Sequence, residues 1–165
     1  MNTITRTLLL FVAIITMNSC SSDSDNLEVE TKSLKTVNYI YTETEIETMN
    51  LINSHRVSIG LNALEKIGYV SHKSEEHDNY MIANNTVNHN NFVSRSEDII
   101  KILGAKMVAE NIAYNYNTPE AAVKAWMLSF GHKENIEGDF THFGIAIRKD
   151  PVTGRNYYTN IFVKM

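Results

Sequence analysis

No disulfide can staple this chain, because its 165 residues include a single cysteine. The apolar core must stabilise the fold alone, and the length suffices for one domain with a sizeable core. A large excess of positive charge is missing too. A formal net charge of -4 and a pI near 5.8 give no reason to expect nucleic-acid binding. No apolar run is long enough to cross a bilayer as a helix. The chain has no internal repeat, no CxxC pair, no glycine-rich phosphate loop and no HExxH, and no serine stands in a nucleophile elbow. Function must therefore be read from dispersed polar residues, not from one compact motif.

The one short apolar run, Leu8 to Ile15, lies behind Arg6 at the N-terminus and ends at Asn18-Ser19-Cys20. A basic start, a short apolar stretch and small residues before a cysteine resemble a bacterial lipoprotein signal. Met17 stands where leucine is usual. The expectation is a signal peptide over residues 1–20, with Cys20 lipidated after cleavage. Residues 21–41, opening on the acidic, serine-rich Ser21-Ser22-Asp23-Ser24-Asp25, form a tether. The domain follows over 42–165. The partner implied is a membrane, reached through a lipid anchor, and the location is the cell envelope, facing periplasm or exterior.

Periodicity places the elements. Thr42 with Glu45, or Thr44 with Glu47, makes a capping box. Ile46, Met49, Ile52 and Ile59 then mark a helix face that stops at Gly60. His55 and Arg56 in this helix read as surface or edge residues, paired with carboxylates. A second helix over about 69–84 carries Val70, His77, Tyr80, Met81 and Asn84 on one face. His77 points inward there as a core residue, and His72 is solvated. The asparagine-rich run from Asn84 to Asn91 is a loop holding His89. Ser96-Glu97-Asp98 reads as a further helix start before Ile99, Ile100 and Leu103, with Gly104 as its stop.

The stretch from Ala109 to Ile136 organises the rest. Glu110 and Asn111 sit inside an apolar run, in a strand. Thr118 caps a helix with Pro119 at its first position. Ala122, Val123, Trp126, Met127 and Phe130 form its apolar face, Gly131 ends it and His132 follows. Two alternating strands, about 143–148 and 157–163, flank the turn from Asp150 to Gly154 and make a hairpin.

Taken together, these residues resemble the CAP superfamily, the cysteine-rich secretory, antigen 5 and pathogenesis-related 1 proteins, in its bacterial, SCP-like form. The resemblance rests on Ile52-Asn53-Ser54-His55-Arg56 with Gly60-Leu61, on His77, Met81 and His89, on Ala109-Glu110-Asn111-Ile112-Ala113, and on Trp126, Ser129, Gly131-His132, Asn135-Ile136 and Phe140-Thr141. It implies an α+β fold, a three-layer α-β-α sandwich with a central antiparallel sheet. Many eukaryotic members line a central cleft with two His and two Glu, and the two His can hold zinc or another divalent ion. On that pattern His89 matches the first His and Glu110 one Glu. The second Glu falls at Ser129 and the second His at Asp139, so both are absent. His132 is the histidine typical of bacterial members, and His142 stands where Gln or Glu is usual.

Three functions fit this reading. One is an envelope-attached binding module for a small apolar ligand or an envelope component, with His89, Glu110, Ser129 and His132 lining its cleft. The second is a hydrolase using a divalent metal such as zinc, with His89 and His132 as ligands and Glu110 as the catalytic general base. The third is a structural or adhesive surface protein whose polar cluster is inert. The broken tetrad favours the first and third, so an enzyme is the lesser expectation.

Overall fold

The computed structural model describes residues 37–165. The leader, Cys20 and most of the tether lie outside the described residues. No helix among the described residues is long and apolar enough to cross a membrane.

The chain runs through helix α1 (Glu43–Ser58), strand β1 (Glu65–Lys66), α2 (Gly68–Ala83), α3 (Phe92–Leu103), β2 (Met107–Tyr114), α4 (Pro119–Leu128), α5 (Phe130–Glu137), β3 (His142–Lys149) and β4 (Asn156–Lys164). The sheet order is β1-β3-β4-β2. The β3–β4 hairpin and the β2–β4 pair are antiparallel, as expected, but the two-residue β1 pairs parallel with β3, so the sheet is mixed. One apolar cluster joins α1, α4 and α5 to one sheet face through Met49, Ile52, Trp126, Ile136, Phe143 and Phe162. The other joins α2 and α3 to the opposite face through Val70, Ile99, Leu103, Ile161 and Val163. This is the three-layer α-β-α sandwich.

The capping box forms on the first of its two candidate positions. Thr42 Oγ1 accepts from Glu45 N–H at 3.2 Å, and Glu45 returns a bond to Thr42 N–H at 2.8 Å. Glu45 is fully buried and also takes Ile147 N–H and the Arg148 guanidinium, while Arg148 reaches Tyr39 and Glu75. Val37 packs on the α2–α3 cluster and Tyr41 on the other. The segment from 37 to 41, read from sequence as the end of a tether, is thus already fastened to the folded body.

Close approach dictates two glycines. A Cβ on Gly144 of β3 would lie 2.3 Å from Ser71 N and 2.5 Å from the Val70 carbonyl carbon, where α2 crosses the strand. A Cβ on Gly68 would meet the Val37 carbonyl oxygen at 2.0 Å.

Several helix assignments need correction. The α1 face is narrower than the periodicity suggests, because Ile46 and Ile59 are exposed while Met49 and Ile52 are buried. On α2, Val70, His77 and Met81 are buried, but Asn84 is exposed and Tyr80 only partly covered. The helix's other buried positions are Tyr69 and the polar Ser71, Ser74 and Asp78. Burial pushes the Asp78 carboxyl well above the usual carboxylate range, although Thr159, 2.6 Å from Oδ1, pulls the other way. Helix α3 starts at Phe92, four residues before the serine that marked its start, and this first turn puts Arg95 on the buried face with Ile99 and Leu103. The helix through Trp126 ends at Leu128, not at Gly131. Ser129 adopts an extended backbone (φ -98°, ψ 124°), the chain turns, and α5 begins at Phe130. Phe130 then leaves the Trp126 face and is 82% exposed.

Arg56 is the largest correction. Read as a surface or edge residue, it is fully buried. Its guanidinium donates to the carbonyls of Asn62, Ile136, Gly138 and Phe140 at 2.7–3.2 Å, tying α1 to the chain that leaves α5. Its neighbour His55 keeps the expected position, half-buried and 2.8 Å from Glu137.

Candidate functional site

Strand β2 lies at a sheet edge, and its alternation splits the candidate residues between two faces. Glu110 points towards α2 and α3, and Asn111 towards α5.

On the first face the Glu110 carboxylate is 1% exposed and fully engaged. Oε2 accepts from Arg95 Nε at 2.9 Å and Nη2 at 2.6 Å. Oε1 lies 2.9 Å from His89 Nδ1 and 3.8 Å from His77 Nε2. Burial alone would raise the Glu110 pKa. The hydrogen bond from His89 and the charge of Arg95 outweigh it and hold the carboxyl below the usual range. The His89 loop is built for this reach. Asn85 (φ 46°) and Asn91 (φ 61°) take left-handed backbone that asparagine tolerates, and His77 Nε2 pins the loop through the Asn88 carbonyl at 2.8 Å.

On the second face Asn111 fastens the start of α5. Its Nδ2 donates to the His132 carbonyl at 2.9 Å, and its Oδ1 accepts from Asn135 Nδ2 at 2.8 Å. Trp126 Nε1 donates to the Ile112 carbonyl at 2.8 Å on the free edge of β2, which blunts that edge. Between α4 and this edge lies a cavity of about 320 Å³. Ile112, Ala113, Ala125 and Trp126 line it with apolar surface, and Tyr114, Tyr116, Ser129 and His132 complete the lining. Ser129 is the residue before α5, yet its hydroxyl makes no capping bond. Among the described residues, no side chain or carbonyl hydrogen-bonds the His132 imidazole. Burial, and then the nearby charge of His89, lower its pKa, so the ring is neutral.

The expected site is therefore only partly assembled. His89 and Glu110 meet directly. Ser129 and His132 share a cavity on the other side of β2, near enough for His89 to influence His132. Among the described residues, no three His, Cys, Asp or Glu side chains are grouped to hold a metal ion. Arg95 and His89 occupy both Glu110 oxygens. His142 is turned away, with Nδ1 2.8 Å from Thr141 Oγ1.

Sequence reasoning missed Arg95 and gave His77 no part in the cluster. A signal for Arg95 existed. It precedes Ile99 and Leu103 at steps of four on the buried stripe of α3, where an arginine needs a buried partner.

The cluster also sets acid stability. Glu110 has a depressed folded pKa, so its contribution is complete above the usual carboxylate range and is lost as pH falls through the folded value. His77, whose pKa is lowered first by burial, adds loss of stability as pH falls through the imidazole range. Glu110→Gln should cost about 2 kcal/mol at neutral pH, the scale of a hydrogen bond to a charged group. It should also flatten the carboxylate part of the stability–pH curve. Denaturant melts from pH 7 to pH 3 check both; an unchanged acid limb would remove Glu110 from this role.

Comparison with known proteins gives the family and, separately, the fold. The model of the cysteine-rich secretory protein family, CAP, matches residues 49–163. An uncharacterized membrane protein of Bacillus subtilis, YlbC, is 33% identical over 132 residues, which cover 76% of this chain but 36% of that protein. The chain thus spans little more than a third of that relative's length. Among solved structures, an outer surface protein of Borrelia burgdorferi superposes with a TM-score of 0.67 at 21% identity, covering 77% of this chain and 97% of the other. An extracellular SCP-domain protein of Bacillus anthracis gives 0.65 at 22% identity, covering 74% of this chain and 40% of the other.

Proposed function

This chain belongs to the cysteine-rich secretory protein family, CAP, and on that premise we propose that it is an extracytoplasmic, membrane-anchored binding module for a small amphipathic ligand. The cavity between α4 and β2 carries this reading. Its wall is largely apolar, while the Ser129 hydroxyl and the neutral His132 ring have no protein partner among the described residues. A ligand with an apolar body and one hydrogen-bonding group would satisfy both parts. Glu110, His89, His77 and Arg95 act as scaffold in this reading, bracing β2 from behind. The hydrolase alternative draws no support from the engaged carboxylate.

Trp126 is the only tryptophan and lines the cavity, so it reports occupancy directly. The chain from Ser21 onwards should bind 1-anilinonaphthalene-8-sulfonate saturably, with energy transfer from Trp126. Ala125→Leu, which narrows the cavity, should weaken that binding by about tenfold, a change of about 1.4 kcal/mol. Energy transfer that never saturates, or that ignores Ala125→Leu, would remove the cavity as the binding site.

The anchor is a separate proposal. It rests on the lipoprotein-like sequence ending at Cys20, and relatives described as membrane or surface proteins support it. Cys20→Ser should move the protein from the membrane to the soluble fraction. Continued membrane association of that variant would show that no lipid on Cys20 holds the chain.

A further inference from the structure

The junction of α4 and α5 turns apolar side chains out to solvent. Leu128 is 79% exposed and Phe130 82% exposed. Of the described phenylalanines only Phe130 is exposed. Ser129 between them has extended backbone, in which successive side chains point opposite ways. Ser129 lines the cavity at Trp126, so its two neighbours flank the rim of that cavity. Ile40, Val93 and Val152 are exposed as well, but each stands alone, and single exposed apolar residues need no explanation. Val57 and Ile59, another pair two residues apart, are less exposed.

The charges around Leu128 and Phe130 fit a lipid headgroup layer. Lys124 lies one helical turn before Leu128, and Lys133 lies three residues after Phe130. Lys124 has no carboxylate partner among the described residues, and Lys133 reaches only Glu137, at 3.8 Å. Glu134 is the exposed acid beside them. Long basic side chains next to a phenylalanine and a leucine are the composition of a membrane-interface contact.

We propose that Leu128 and Phe130 dock this domain on the surface of a lipid bilayer, with the rim of the Trp126 cavity against it. On the anchor proposed above, residues 21–36 let the domain stand at most about 60 Å from the membrane. A body of this size is roughly 35 Å across. Such a tether lets any face of the domain meet the bilayer. It also raises the local concentration, so a contact of two side chains suffices. The apolar pair then selects the face. An amphipathic ligand passes between the bilayer and the cavity without crossing water. That route rests on the cavity reading above; the docking surface does not.

The test replaces the lipid anchor, so it does not depend on Cys20. The chain from Ser21 onwards, with an N-terminal hexahistidine tag, is held on vesicles of phosphatidylethanolamine, phosphatidylglycerol and a nickel-chelating lipid. It has no cysteine, so Leu128→Cys carries a single nitrobenzoxadiazole label. Nitroxide groups on the acyl chains should quench that label, and its emission should move to the blue. The same label on Val93→Cys, on α3 at the other side of the sheet, should stay in water. Phe130→Ser, at an exposed position, should lower the ratio of docked to free domain roughly tenfold, the scale of one aromatic side chain withdrawn from lipid. Quenching no greater at position 128 than at 93 overturns the proposal. So does quenching that survives Phe130→Ser. A blue shift that grows with protein concentration in the absence of vesicles overturns it too, in favour of a second copy as the partner. Dye binding to the cavity is measured in solution, so failure of the cavity and failure of the docking surface are told apart.

Discussion

Arg56→Ala should be among the most damaging single substitutions in this domain, costing about 3–4 kcal/mol, the scale of two hydrogen bonds to a charged group lost together with a buried side chain. Arg56 is fully buried, and no carboxylate pairs with it among the described residues. Burial pulls its pKa down, and Asp139 offsets part of that. Its charge is spread over carbonyl dipoles instead. Two of them, Ile136 and Gly138, belong to the C-terminal end of α5, where a cation is favourable. Removing the guanidinium takes a donor from four carbonyls, of which Gly138 keeps Phe140 N–H and Phe140 keeps Asn62 Nδ2, and opens a void between α1 and the chain entering β3. Lysine should rescue little, because a point-like ammonium cannot reach carbonyls in several directions as the planar fork does. Equilibrium urea melts of wild type, Arg56→Ala and Arg56→Lys measure this. A loss below about 1 kcal/mol for alanine, the range of surface substitutions, would return Arg56 to the surface role that its sequence position suggests.

Trp126→Ala should cost about 4 kcal/mol, within the range for deleting a buried large aromatic. The indole is 1% exposed, stands edge-on to Tyr158 with centroids 6.4 Å apart, and donates to the Ile112 carbonyl. Three losses coincide: apolar burial, the aromatic contact, and the bond that occupies the free edge of β2. Trp126→Phe separates them. It keeps most of the burial and loses the N–H, so it should cost about 1–2 kcal/mol, the cost of an unmade hydrogen bond plus a small void. Equal losses for Phe and Ala would mean that the hydrogen bond, not the packing, fixes α4. The freed carbonyl should also leave β2 open to strand pairing, and Trp126→Ala should self-associate more than wild type in sedimentation.

Much of the fold was legible in local chemistry. The Thr42–Glu45 box, the Thr118-Pro119 start, the glycine stops at 60 and 104 and the turn from 150 to 154 depend on neighbours a few residues apart, and each formed where it was read. Alternation gave the hairpin, since a strand's faces follow from a period of two. The break at Ser129 carried no local signal. Gly131 is the stronger stop by composition, yet Asn111 and Asn135 hold α5 in its own direction from 24 residues away.

The candidate site divides in the same way. The helical period by itself determined the inward place of His77, and the ordered set of motifs carried the resemblance that implied the family, the sandwich and a shared place for His89 and Glu110. Tertiary structure alone decided the rest. It buried Arg56, engaged both Glu110 oxygens, set His132 with Ser129 across β2, and left one nitrogen of His77 unpaired. These outcomes depend on which groups from distant segments meet where water is excluded. Burial decides there whether a charge is paired, neutralised or left open, and no local pattern encodes that choice.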